Sequence, residues 1–153
     1  AGARRGRPAA MVGRAEGARM IDRVLVVVED STGGLAAGRA GIEICRGLGA
    51  QIRGLAIEPA DRTSRPSSSV ADVLAHLKGM CRQAGVSAET VQARDDPAQA
   101  ILAHALDFGA ELIVIGRSDD HGTGQPFISP YVQRVLEFSD VPVMVVPPMK
   151  LRS

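Results

Sequence analysis

The feature that most constrains this chain is an alternation of two periodicities. Between Met20 and Pro147, short continuous apolar runs rich in β-branched residues trade places with longer stretches whose apolar residues recur at helical spacing. Arg23 to Val28 (RVLVVV) reads as a strand buried on both faces of a parallel sheet. Ser31 and Thr32 offer N-caps to a first helix, in which Gly38, Gly41, Ile42, Cys45 and Leu48 share one face, and Gly49 stops it. Gln51 to Glu58 is a second strand ended by Pro59. The polar stretch from Ala60 to Ser69 is a loop long enough to serve a site.

The pattern then repeats. Val70, Val73, Leu74, Leu77 and Cys81 give a second amphipathic helix that Gly85 closes. Ser87 to Arg94 is a polar, alternating strand suited to an edge. Asp95 or Asp96 caps a third helix with Pro97 as its first residue, where a missing amide costs nothing, and its apolar face runs to Gly109. Glu111 to Gly116 is the fourth strand, and a helix from about Pro130 to Phe138 leads to a fifth, Val141 to Val146. One helix between each pair of strands implies right-handed crossovers. The expected fold is a single α/β domain, a doubly wound five-stranded parallel sheet with helices on both faces.

Length agrees with one domain, since 153 residues are too few for two of ordinary size. The expected division is a disordered leader or non-native extension over residues 1–19, a domain over 20–148, and a frayed tail over 149–153. Charge divides in the same place. The total is +1, from 18 basic and 17 acidic residues, yet residues 1–19 hold five arginines and one glutamate, leaving 13 basic against 16 acidic in the rest. A mildly acidic body lacks the basic face that duplex DNA requires. Aromatic residues are only 3%, with no Trp and one Tyr, so stacking of successive bases is disfavoured as well. No apolar run approaches the roughly 20 residues of a membrane span. Cys45 and Cys81 lack C-x-x-C spacing and read as small buried hydrophobes in a reducing cytoplasm.

In a doubly wound sheet, ligands lie outside the carboxyl ends of the strands where the strand order reverses, so the loops after strands one and four are where chemistry is expected. After strand one stand Glu29-Asp30-Ser31-Thr32-Gly33-Gly34. A carboxylate there can hold a ribose hydroxyl and the following helix start can attract an anion, although Asp and Ser before a helix are more often plain caps. There is no G-x-G-x-x-G after strand one and no Gly-Lys pair, which removes the ordinary dehydrogenase and P-loop readings. Asp119, Asp120 and His121 are adjacent on the loop after strand four and do not converge on a metal unaided. His76 and His104 have no ligand-type partners at helical spacing, and no metal is expected. Ser31, Ser129 and the cysteines have no base visible in the sequence, so no catalytic residue is named.

The opening RVLVVVEDS, the stretch RDDPAQAILAHALDFGAELIVIG and the closing RVLEFSDVPVMVVP together resemble the universal stress protein family, over Met20 to Pro147. That resemblance implies a Rossmann-like fold akin to adenine-nucleotide alpha hydrolases. It also implies a nucleotide site formed by Glu29, Asp30, Ile57, Gly116, Arg117, Asp119 and Ser129. Members that bind ATP carry G-x-x-G, nine residues, then Gly and Ser or Thr. Here only Gly116 is kept, because the second glycine falls on Asp119 and the closing pair on Ser129-Pro130. Asp119 brings bulk and negative charge toward a phosphate, and Pro130 has no amide to donate. Ser129 is placed to cap its own helix instead. Arg117, Gly122, Thr123 and Gly124 could rebuild a phosphate cradle in another register.

The resulting expectation is a cytoplasmic, regulatory or stress-response protein without tight ATP binding. It is expected to pair as a homodimer through Val141, Val143 and Val145 of the last strand, with a protein partner as a further option. The alternative is a switch that binds ATP or AMP through the loops after strands one and four. Slow ATP hydrolysis is a third, supported by fold analogy alone.

Overall fold

The computed structural model describes residues 21–29, 32–58, 68–94, 96–119 and 126–148. The expected leader, residues 60–67 of the expected loop, Asp30, Asp120 to Gly124 and the tail lie outside the described residues, whereas Ser68 and Ser69, expected in that loop, already belong to the helix that follows it. The elements are β1 (Arg23–Val27), α1 (Thr32–Leu48), β2 (Gln51–Ile57), α2 (Ser68–Ala84), β3 (Ala88–Ala93) and α3 (Pro97–Phe108). They continue as β4 (Leu112–Gly116), β5 (Ser118–Asp119), β6 (Pro126–Phe127), α4 (Pro130–Phe138) and β7 (Val143–Val146).

Five strands form one sheet in the order β3-β2-β1-β4-β7, and every pairing within it is parallel. The chain steps outward from β1 through β2 to β3, then crosses back to place β4 on the other side of β1. The strand order therefore reverses between β1 and β4, which are registered as Val24 with Leu112 and Val26 with Val114. β3 and β7 are the edges, and β3 has the polar alternation expected there. The doubly wound α/β fold is thus realised. One element is additional: β5 and β6 pair antiparallel, Ser118 with Phe127 and Asp119 with Pro126, inside what reads as a polar loop. Two residues per strand are too few for any periodicity to show.

Helices cover both faces because successive strand residues point to opposite sides. Val24, Val26 and Val28 pack with Ala37, Ile42, Cys45, Leu74, Leu77 and Cys81 beneath α1 and α2. Leu25 and Val27 pack with Leu55, Ile101, Ile113, Ile115, Val132 and Val135 beneath α3 and α4. Leu25, Ile113 and Ile115 are fully buried, and each such side chain contributes about 1.5–3 kcal/mol of transfer free energy. Small residues set the helix-to-sheet distance. A Cβ on Gly41 would come within 2.5 Å of Val26 Cγ2, so α1 rides directly on β1.

Each of the first three helices ends on a left-handed glycine, Gly49 (φ 71°), Gly85 (φ 75°) or Gly109 (φ 72°), a backbone conformation costly for other residues. The next amide then reaches back into the last turn: Ala50 to Cys45 O, Val86 to Cys81 O and Ala110 to Ala105 O. These are Schellman closures, and each turns the chain into the following strand. Asp96 caps α3, with Oδ2 accepting from the Gln99 amide at 3.1 Å and Pro97 opening the helix. At the amino end of the strands, Arg53 donates from Nε to Glu89 and from Nη1 to Asp107 at 2.8 Å. Its guanidinium lies 4.9 Å from the centroid of the Phe108 ring.

Candidate functional site

The carboxyl ends of β1 and β4 lie side by side at the reversal point, and the first turn of α4 faces them. β1 delivers Val28, whose amide donates to Leu55 O at 2.9 Å, and then Glu29. Gly34, in the first turn of α1, sits against the Glu29 backbone so closely that an added Cβ would collide with its N, C and O atoms. This close approach fixes where Glu29 leaves the sheet. β4 ends at the buried Gly116, paired with Val146, and the amide of Arg117 extends that pairing by donating to Val146 O at 2.8 Å.

From α4 comes Tyr131. Its phenolic hydroxyl donates to Glu29 Oε2 at 2.6 Å, across 102 residues of sequence. Burial holds the phenol protonated well above the ordinary tyrosine range, and the Glu29 charge and hydrogen bond push the same way. A hydrogen bond from Ser129 opposes them weakly. Ser129 is the N-cap of α4 by backbone position, extended at φ −65° and ψ 155°, but its side chain makes no cap bond. The expectation that its hydroxyl caps the helix is therefore corrected. The Ser129 carbonyl accepts from the amides of Val132 at 3.0 Å and Gln133 at 3.1 Å.

Of the residues expected at a nucleotide site, the fold places Glu29, Gly116 and Arg117 at the carboxyl ends of β1 and β4 and Ser129 at the start of α4, around the crevice that a reversal of strand order leaves there. Ile57 closes β2 one strand away, half-buried against the cluster under α3 and α4. Asp119 pairs with Pro126 in the short β5–β6 ribbon, and Asp30 lies outside the described residues. Three residues here escape a reading by sequence. Tyr131 is one, although it is the single tyrosine of the chain and lies four residues before the buried Val135, hence on an inward helical face. The others are Glu58, buried at the carboxyl end of β2, and Arg94, which donates from Nη2 to Glu58 Oε1 at 3.0 Å. Both fall at strand ends, where composition alone predicts solvent.

The comparisons agree with this fold. The model of the Universal stress protein family matches residues 20–147. The chain belongs to the universal stress protein family. It is 34% identical over 74 residues to the universal stress protein YxiE of Bacillus subtilis (strain 168), a match that takes in 48% of this chain and half the length of that relative. Among solved structures, universal stress protein UspA from Lactobacillus plantarum superposes with a TM-score of 0.66 at 19% identity, over 84% of this chain and 99% of that one. A universal stress protein from Archaeoglobus fulgidus in complex with dAMP gives 0.64 at 16%, over 84% and 99%. One from Arabidopsis thaliana with AMP bound gives 0.62 at 19%, over 84% and 92%. At these identities the structures share the fold. Among the described residues of this universal stress protein, no helix is long and apolar enough to cross a membrane.

Proposed function

We propose that this member of a family of stress-response proteins is a cytoplasmic, homodimeric regulatory protein whose crevice does not hold ATP tightly. The observation that carries this reading is the start of α4. A phosphate is best held there by free amides at a helix N-terminus. Pro130 occupies the first helical position and has no amide, while the amide of Val132 is already engaged by Ser129 O at 3.0 Å. The deciding experiment is native purification followed by denaturation and mass spectrometry of what is released. The reading expects no stoichiometric nucleotide, and one ATP per chain would refute it.

Pairing of two copies is supported by β7, which ends the sheet and leaves Met144 39% exposed. Val143 and Val145 turn inward against the cluster under α3 and α4, so Met144 is the residue to replace. Sedimentation should give a dimer for the wild type and a monomer for Met144→Lys.

A second reading, a nucleotide-responsive switch, is favoured by the dAMP and AMP found in two structures of the same fold. A monophosphate asks less of the altered helix start than a triphosphate does. Glu29 then offers a hydroxyl acceptor at the strand end.

A further inference from the structure

We infer that Tyr131 is a specificity-determining latch on this crevice: its phenol occupies Glu29 in place of a ligand hydroxyl, and a ribonucleoside or its monophosphate must displace it to bind. The inference rests on the reading that a ribonucleotide enters between the ends of β1 and β4. Glu29 stands where the strand order reverses, and its Oε2 already accepts the Tyr131 hydroxyl at 2.6 Å. A phenol O–H and a ribose O–H present the same donor to a carboxylate, so a ribose hydroxyl directed at Oε2 competes with the phenol that already lies there. The contact also joins α4 to β1, the two walls of the crevice, so displacing the phenol separates groups that otherwise close it.

Chemistry restricts the ligand. A carboxylate accepts and does not donate, so it selects hydroxyl-bearing groups and repels phosphate. A ribose satisfies that demand, and a 2′,3′-dideoxy sugar, with neither hydroxyl, does not. A hydrogen bond to a charged acceptor is among the stronger ones, so its release sets a measurable penalty on binding. Tyr131 is the only tyrosine and there is no Trp, so intrinsic emission reports this one contact.

The test compares AMP with its 2′,3′-dideoxy analogue by calorimetry, on the wild type and on Tyr131→Phe, with circular dichroism confirming native helix content. Tyrosine emission of the wild type is followed through the same AMP titration. The latch predicts that AMP binds Tyr131→Phe about tenfold or more tightly than the wild type, that the dideoxy analogue gains nothing, and that emission rises as the phenol leaves the carboxylate. Adding Glu29→Gln to Tyr131→Phe should abolish the gain. Equal AMP affinity in wild type and variant would overturn the latch and leave the nucleotide reading standing. Absence of AMP binding in both would overturn the nucleotide reading itself, and the latch with it. Should Tyr131→Phe not fold, an emission that stays constant through saturating AMP in the wild type overturns the latch.

Discussion

The hydroxyl of Tyr131 and the carboxylate of Glu29 meet at 2.6 Å, tying the first turn of α4 to the end of β1. Because burial and the Glu29 charge hold the phenol protonated, its folded-state pKa lies above the ordinary value near 10. The sign follows by linkage. The protonated form is the stabilised one, so the contribution is complete below the unfolded pKa and is lost as pH rises through the folded value. Tyrosinate absorbance should appear at distinctly higher pH in the native protein than in denaturant. Coincident titrations would mean that the contact is absent in solution.

Restoring the helix start should restore anion affinity. Ser129→Gly with Pro130→Ser returns an amide donor and a hydroxyl to the first turn of α4. Proline at that position is helpful but dispensable to a helix, so the fold should tolerate the change. Affinity for ATP is expected to rise by about tenfold or more, the worth of one hydrogen bond to a charged group. Titration calorimetry checks it, and unchanged affinity would place the phosphates elsewhere.

Gly34→Ala should be severe because the obstruction is backbone, which cannot rotate away. The new Cβ would overlap the main chain of Glu29. A cost of about 3 kcal/mol is expected, at the upper end for overpacking, or roughly 6–12 °C in Tm for a domain of this size. Gly47→Ala is the control, since nothing lies within 4 Å of its added Cβ. It should be neutral or stabilise by a few tenths to about 1 kcal/mol.

Both cysteines are buried and free, and burial together with the neighbouring Cys81 pushes the Cys45 thiol up to about 11. The Cys81 thiol is raised by burial too. Since the thiolate is the reactive form, native protein at pH 8 should resist alkylation at both positions and react stoichiometrically once unfolded. Mass spectrometry after a timed iodoacetamide pulse reads this directly. Rapid native modification would contradict the packing of α1 against α2.

The sheet was legible because its signals are local and redundant. RVLVVV and LIVIG admit little but buried strands, and Gly49, Gly85 and Gly109 each mark a helix end that the backbone then confirms with φ near +70°. Asp96 and Pro97 announce α3 in the same way. The crevice was half legible. Glu29, Gly116, Arg117 and Ser129 could be named from order and resemblance, since the strand ends at a reversal are fixed by topology. Tyr131 could not be, because its partner lies 102 residues away and nothing in a helical period encodes what stands opposite. The hydroxyl of Ser129 was misread for a different reason: capping is a preference of residue type, and here the backbone takes the N-cap position without the side-chain bond.

The most direct test of the account is calorimetric titration of the wild-type chain with magnesium ATP. With an amide missing at Pro130 and Glu29 engaged by Tyr131, the prediction is no saturable heat below about 1 mM ATP. A dissociation constant of about 1 μM with one ATP per chain would contradict it.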